Sequence, residues 1–263
     1  MQAFDVAKIT NSLIQYVREQ LAASGGEQAV IGISGGKDSS VAAALLTKAI
    51  GADRVYGVLM PDGVQKDLGD AQELVRHLGI QSYEINIAPL TTAFHTAVAA
   101  HLPLSEQALL NAPPRIRMTI LFGIAQSLPN ARVINTSNLS EDWVGYATLY
   151  GDTAGAFSPL GMLTSEEVMA VGKHLGLPLA LAEKIPADGL TGKSDEDIFG
   201  FSYAVLNRYI RTGEIADLAT KATIDRLHRL SRFKFQPLPM FDPKLPIVAQ
   251  DIAHVYGRGN DAD

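Results

Sequence analysis

The 263-residue sequence contains no cysteine. That absence excludes disulfides, thiolate metal sites, thiol nucleophiles and cysteine-based sulfur transfer together. It also makes a reducing compartment the default expectation. No apolar run approaches the roughly 18 residues that a membrane span requires, and the first residues lack the charged-then-apolar pattern of a signal peptide. A cytoplasmic protein without a membrane partner is therefore expected. Positive charge is in short supply: 22 lysines and arginines stand against 28 aspartates and glutamates, a formal charge of −6. Coating a polyanion needs a basic face, so nucleic acid is not an expected partner. Internal repeats and low-complexity linkers are missing as well. What is present is core material, 47% hydrophobic against 19% charged residues, enough for a single domain over 1–263. The stretch Phe241 to Asp263 is richer in proline, glycine and aspartate and reads as a loosely attached tail.

Strands and helices alternate along the chain. Apolar residues at Phe4, Val6, Ile9, Leu13, Tyr16, Val17 and Leu21 keep a helical spacing that ends at Gly25-Gly26. Ala29 to Ile33 is a short β-branched run, read as a buried strand, and Ser39 to Ile50 reads as a helix. Val55 to Met60 and Tyr83 to Ile87 read as strands on either side of a helix over Leu68 to Leu78. A helix-rich stretch from Ser105 to Leu128 precedes a fourth strand over Arg132 to Thr136. In the C-terminal hundred residues, Glu166 to Leu175 and Asp195 to Ile210 are the clearest helices. This order predicts an α/β fold in three layers, α/β/α. Its Rossmann-like parallel sheet carries helices on both faces, with a helical C-terminal part.

Directly after the first strand stands Ser34-Gly35-Gly36-Lys37-Asp38-Ser39-Ser40, and a helix begins at once. Glycines let the backbone approach a ligand, and unpaired amides at a helix start point towards it. With hydroxyls and a lysine as further donors, the loop reads as a cradle for phosphate or pyrophosphate. The plainer alternative is a glycine turn capped by Asp38 or Ser39. A Walker A loop is excluded, because Gly32 and Gly36 enclose three residues rather than four, and Asp38 stands where Ser or Thr would bind magnesium.

A second segment, Asn135-Thr136-Ser137-Asn138-Leu139-Ser140-Glu141, comes after the fourth strand. Gly145-Tyr146-Ala147-Thr148-Leu149-Tyr150-Gly151-Asp152 is next. Thr136, Glu141 and Asp152 thus fall beyond the carboxyl end of a parallel strand, where such sheets bind ligands. Asp38 and Glu141 would be oxygen ligands from separate loops, suited to a magnesium that also binds phosphate oxygens. On spacing alone Glu141 also reads as the cap of a helix starting near Ser140, and Asp152 as a turn-stabilising aspartate.

Ser-Gly-Gly-x-Asp-Ser resembles the pyrophosphate loop of the N-type ATP pyrophosphatases, which split ATP into AMP and pyrophosphate to activate a carboxylate or carbonyl. Within that group, N-x-S-E and then G-Y-x-T-x-Y-G-D resembles the ammonia-dependent NAD synthetase family. Met60-Pro61-Asp62-Gly63-Val64-Gln65, Arg115-Ile116-Arg117-Met118 and Ser158-Pro159-Leu160-Gly161 are similar to further family segments, in the same order. So are Pro186-Ala187-Asp188-Gly189-Leu190 and Gly192-Lys193-Ser194-Asp195-Glu196. The resemblance runs from Ile31 to Lys234.

The resemblance implies a reaction. The nicotinate carboxylate of deamido-NAD attacks the α-phosphorus of ATP, magnesium pyrophosphate leaves, and ammonia converts the acyl adenylate to the amide. ATP would be bound by Ile33, Ser34, Gly35, Gly36, Lys37, Asp38, Ser39, Ser40, Met60 and Thr136. Asp38 and Glu141 would hold Mg2+. Asp38 and Asp152 would be catalytic, Asp152 by orienting or deprotonating ammonium. Arg115, Arg117 and Lys234 would bind substrate; from the residues alone both arginines also read as surface helix positions. A homodimer is implied too, and the apolar segment Ile116 to Leu128 suits an interface helix as well as a buried core helix. Lacking a cysteine for glutamine hydrolysis, the chain would take ammonia free or from another polypeptide.

Departures from the family pattern cluster on substrate contacts. Leu149 stands where the family has lysine before Tyr-Gly-Asp, and Ala156 where it has aspartate. Ser165 replaces a lysine, Ala187 a hydroxyl residue, and Phe233 the histidine of a His-Lys pair. The glycine loop and the two presumed metal carboxylates are untouched. Two alternatives arise: a related ligase that amidates a different carboxylate, and a nucleotide-binding homologue without turnover.

Overall fold

The structure, a computed structural model, describes residues 4–65, 68–183 and 195–245. Among them four parallel strands form one sheet in the order β3-β2-β1-β4, with β1 Gln28–Gly32, β2 Val55–Leu59, β3 Gln81–Glu84 and β4 Ala131–Val133. Before, between and after them run α1 (Val6–Ala23), α2 (Lys37–Ile50), α3 (Leu68–Leu78), α4 (Ala88–Ala99) and α5 (Glu106–Ser127). Later in the chain come α6 (Leu139–Val144), α7 (Ser165–His174), α8 (Leu179–Ala182), α9 (Asp195–Phe199), α10 (Tyr203–Thr212) and α11 (Leu218–Ser231). Among the described residues no helix is long and apolar enough to cross a membrane.

Strand side chains alternate between the faces of the sheet. Ala29, Ile31, Ile33, Val55 and Leu59 pack with Val17 of α1, Leu45 of α2, Leu74 of α3 and Val168 of α7. Val30, Tyr56, Val58 and Met60 pack against Met118, Leu121 and Ala125 of α5. With both faces covered, β1 and β2 read in sequence as continuous apolar runs. The three-layer α/β/α arrangement is the one expected. A further cluster of Val144, Phe201, Leu206 and Ile224 ties α6 to α10 and α11, forming the helical C-terminal part.

Several boundaries differ from the sequence expectation, each for a local reason. The fourth strand stops at Val133 rather than Thr136, because Asn135 N–H leaves the ladder and donates to the Phe157 carbonyl. The third covers Gln81–Glu84 rather than Tyr83 to Ile87. It is an exposed edge strand, so burial left no pattern on it. α4 is not foreseen, since it buries only Thr91 and shows no apolar stripe. The single helix expected over Asp195 to Ile210 is two helices, parted at Gly200 (φ +77°), with Ser202 capping α10. The segments 186–190 and 192–194, including Ala187, lie outside the described residues, as does the tail beyond Leu245.

α6 ends at Gly145, whose φ is +74°, and a Cβ there would collide with the Cβ of Ser231 on α11. Conformation and contact both require glycine. Gly145→Ala is expected to lower stability by about 2–4 kcal/mol, read as a fall in the urea midpoint. An unchanged midpoint would contradict this packing of α6 on α11.

Candidate active site

The glycine loop is wound on its own hydroxyls. Ile33 N–H donates to the Val58 carbonyl at 2.9 Å, holding the chain in register, and Gly35 at φ +81° then turns it. Ser39 and Ser40 hydroxyls donate to the Gly36 carbonyl at 3.1 and 2.7 Å. Gly36 N–H donates to Ser34 Oγ at 3.1 Å, and Ser34 N–H to Ser39 Oγ at 3.3 Å. The N-cap of α2 is Gly36 and no side chain caps it, so neither Asp38 nor Ser39 is a cap. The first amides of α2 have no carbonyl one turn back and present themselves to an anion. Ile33 and Met60, expected beside ATP, place their side chains in the two core clusters.

One carboxamide joins this loop to the second motif. Asn138 caps α6, its Oδ1 accepting from Ser140 N–H at 2.9 Å and from Glu141 N–H at 3.1 Å. Its Nδ2 donates to Asp38 Oδ1 at 3.0 Å. Glu141 is therefore not the cap that its spacing suggested. Its carboxylate accepts no hydrogen bond among the described residues; burial and the Asp38 charge hold its pKa well above the ordinary range, against the pull of Lys37. Asp38 and Glu141 are thus brought to one place. Asn138 itself was readable as a functional residue, because an Asn three positions before a Glu is a helix-start signal.

Whether these residues suit a divalent cation can be judged from the donors. Among the described residues no three acidic or histidine side chains form a ready-made metal cage. Two carboxylates, one without a hydrogen-bond donor among those residues, are hard oxygen ligands that fit Mg2+ if phosphate and water complete its coordination.

Asp152 belongs to a second group. Its Oδ2 accepts from Thr148 N–H at 3.0 Å, so it does stabilise its turn. Asn135 Nδ2 donates to the carbonyls of Asp152 and Ala154, at 2.5 and 3.1 Å. Gly155 lets the two segments lie this close, since a Cβ there would stand 2.8 Å from the backbone nitrogen of Asn135. Burial raises the Asp152 pKa, while the Thr148 amide and the Arg117 charge oppose the rise. Arg117 is half-buried, with Nε donating to the Met60 carbonyl at 3.0 Å and Asp62 and Asp152 supporting its charge. Arg115 is exposed and donates to the Leu149 carbonyl at 3.1 Å. Lys234, expected on substrate, spends its ammonium on the carbonyls of Gly145 and Ala147, both at 2.9 Å. Thr136 is half-buried and lies between the two groups in sequence.

Beside Asp152 lies a cavity of about 620 Å³ lined by Leu149, Tyr150, Phe157, Phe233 and Lys234. Asp142 also lines it, its pKa pushed up to about 7 by burial, with Arg232 pulling it down. Among the described residues Asp142 Oδ1 and Ser158 Oγ are buried without a hydrogen-bond partner, an invitation to a polar ligand. Ser165 is elsewhere: it is 3% exposed, accepts from Asn207 Nδ2 at 3.1 Å, and gives its N–H to Ser140 Oγ.

A glycine loop running into a helix start at the C-terminal edge of a parallel sheet, with an aspartate in place of the Walker hydroxyl, is the arrangement of the N-type ATP pyrophosphatases. Within that class the chain belongs to the NAD synthase family, whose model matches residues 9–236. It is a ligase that forms a carbon–nitrogen bond. It is 36% identical over 211 residues to the NH(3)-dependent NAD(+) synthetase of Pyrococcus furiosus, spanning 80% of this chain and 79% of that one. Its structure is similar to that of NMN synthetase from Francisella tularensis, with a TM-score of 0.84 and 31% identity over 92% of this chain and all of the other. It is also similar to the NH3-dependent NAD synthetase of Campylobacter jejuni in complex with nitrate, with a TM-score of 0.75 and 29% identity, over 91% of this chain and 100% of that one.

Proposed function

We propose that this ligase converts deamido-NAD to NAD with ammonia and ATP, and that Mg2+ assists. The observation that carries the reading is the Asn138 carboxamide, which sets Asp38 and Glu141 side by side next to an open helix start. The loop amides and the Ser34 and Ser39 hydroxyls receive the phosphates. A carboxylate oxygen of the nicotinate attacks the α-phosphorus, and the bond to pyrophosphate breaks. Ammonia then attacks the acyl carbon, its proton passes to Asp152, and AMP departs. A carboxyl whose pKa is raised by burial suits that proton transfer. Arg117 faces the anionic substrate. Mg2+, held by Asp38 and Glu141, would neutralise charge on the departing pyrophosphate. Most of the rate would come from positioning two anions that repel each other. A cytoplasmic location belongs to the same reading, supported by the cysteine-free sequence.

A second reading has its own support. A deamidated mononucleotide carries one phosphate and no adenosine, so its site needs fewer cations than a dinucleotide site. Leu149, Ala156 and Phe233 remove polar partners, and the Francisella relative is an NMN synthetase. Incubation with ATP, magnesium, ammonia and either carboxylate, following AMP and product mass, tests both. Equal production of AMP and amide from one of them is expected; AMP from neither would overturn the ligase mechanism.

A homodimer is part of the proposal. α5 buries Met118, Leu121 and Ala125 in the core, so it is a core helix on that side, yet Leu109, Leu110 and Phe122 are exposed. Leu90 and Phe94 of the neighbouring α4 are exposed as well. Such apolar surface suits a second copy. Sedimentation at micromolar concentration is expected to give twice the 28.1 kDa chain mass, and a monomer would remove the interface.

A further inference from the structure

We propose that Lys37 is a resident counter-ion of the carboxylate group, and that it makes divalent-metal binding depend on nucleotide. The side chain begins at the first residue of α2, where a lysine could extend into solvent at little cost. It does not. Lys37 is 3% exposed, and a buried ammonium is costly unless it is paired. Its Nζ donates to Asp38 Oδ2 at 2.8 Å. Glu141 of α6 and Asp195 of α9 add attraction, and the ammonium stands 6.0 Å from the ring centre of Tyr203 on α10. Tyr203 in turn donates its hydroxyl to Asp195 Oδ2 at 3.0 Å. One internal cation is therefore held amid three carboxylates carried by different helices.

This inference rests on the reading that Asp38 and Glu141 hold the metal. A divalent ion on Asp38 would have to share oxygens that already accept hydrogen bonds, one of them from an ammonium. Oδ2 accepts from Lys37 and Oδ1 from Asn138. Metal and ammonium would compete for the same oxygen and repel each other at contact distance. Nucleotide changes the balance. Its phosphates bring negative charge to the loop, giving the ammonium another partner and releasing Asp38 Oδ2. Linkage is reciprocal, so metal raises nucleotide affinity by the factor that nucleotide raises metal affinity.

The test uses the full chain and Mn2+, whose free form is counted by electron paramagnetic resonance, with and without an α,β-methylene analogue of ATP. Without nucleotide, Lys37→Met is expected to bind Mn2+ at least about tenfold more tightly than wild type, and Lys37→Arg about as weakly as wild type. Adding the analogue should tighten wild-type binding by about tenfold or more, and Lys37→Met by less. In thermal melts without nucleotide, Mn2+ should raise the midpoint of Lys37→Met and leave wild type unmoved. Equal nucleotide-free affinities of wild type and Lys37→Met would overturn the inference. If Lys37→Met fails to fold, wild type still decides, because Mn2+ binding as tight without the analogue as with it overturns the inference too. Loss of amidation with this linkage intact would instead remove the proposed reaction and leave the role of Lys37 standing.

Discussion

Glu141→Gln should reduce magnesium-dependent pyrophosphate release at least about a hundredfold, about 2.7 kcal/mol in the barrier, while leaving the protein as stable as wild type or more so. The two halves of that result have one cause. Glu141 is half-buried and, among the described residues, has no hydrogen-bond donor, so it is suited to a cation and unsuited to folding without one. Its folded-state pKa lies above that of the unfolded chain. The corresponding stability is complete below the unfolded pKa and is lost as pH rises through the folded value. Glutamine does not ionise and escapes that loss. The thermal midpoint difference in favour of the variant should therefore widen with rising pH. Asp38→Ala is expected to lose pyrophosphate release as well, but with lowered stability, since it strips Lys37 and Asn138 of their acceptor. Near-normal turnover of either variant at limiting magnesium would remove that residue as a metal ligand.

Deamido-NAD is expected to bind poorly while ATP binds well. A dinucleotide with two phosphates and a carboxylate needs several fixed cationic or donating partners. Losing one charge-assisted bond at Leu149 removes about 1.5–3 kcal/mol, or roughly 10- to 150-fold in affinity. The structure deepens the deficit. Lys234 is occupied by the carbonyls of Gly145 and Ala147, and Phe233 lines the cavity with a ring that can stack but cannot donate. Leu149→Lys with Ala156→Asp should lower the KM for deamido-NAD by about tenfold or more. Calorimetry on wild type that gave a low-micromolar Kd for deamido-NAD would refute this expectation.

The layers were legible because burial on both faces writes itself as apolar runs, and β1, β2 and the almost wholly buried α2 carry that record plainly. β3 and α4 carried none, being exposed or nearly so. At the site, the glycine loop and the Asn135–Glu141 motif announced themselves by residue type. Side-chain direction did not. Nothing in the residue order signals that Lys37 folds inward onto Asp38, that Lys234 turns to carbonyls, or that Ser165 is sealed beneath Asn207. Each of these depends on how whole elements pack around the side chain, which no local pattern encodes.

Asn138 gives the molecule something like a gauge. The amide protons of Ser140 and Glu141 reach solvent only when its oxygen releases them, and the nitrogen of the same planar group holds Asp38. A planar group cannot swing at one end and stay still at the other. Whatever loosens or seats the glycine loop is therefore registered in the hydrogen-exchange rates of two amides on another helix, which a ligand on the loop need never touch.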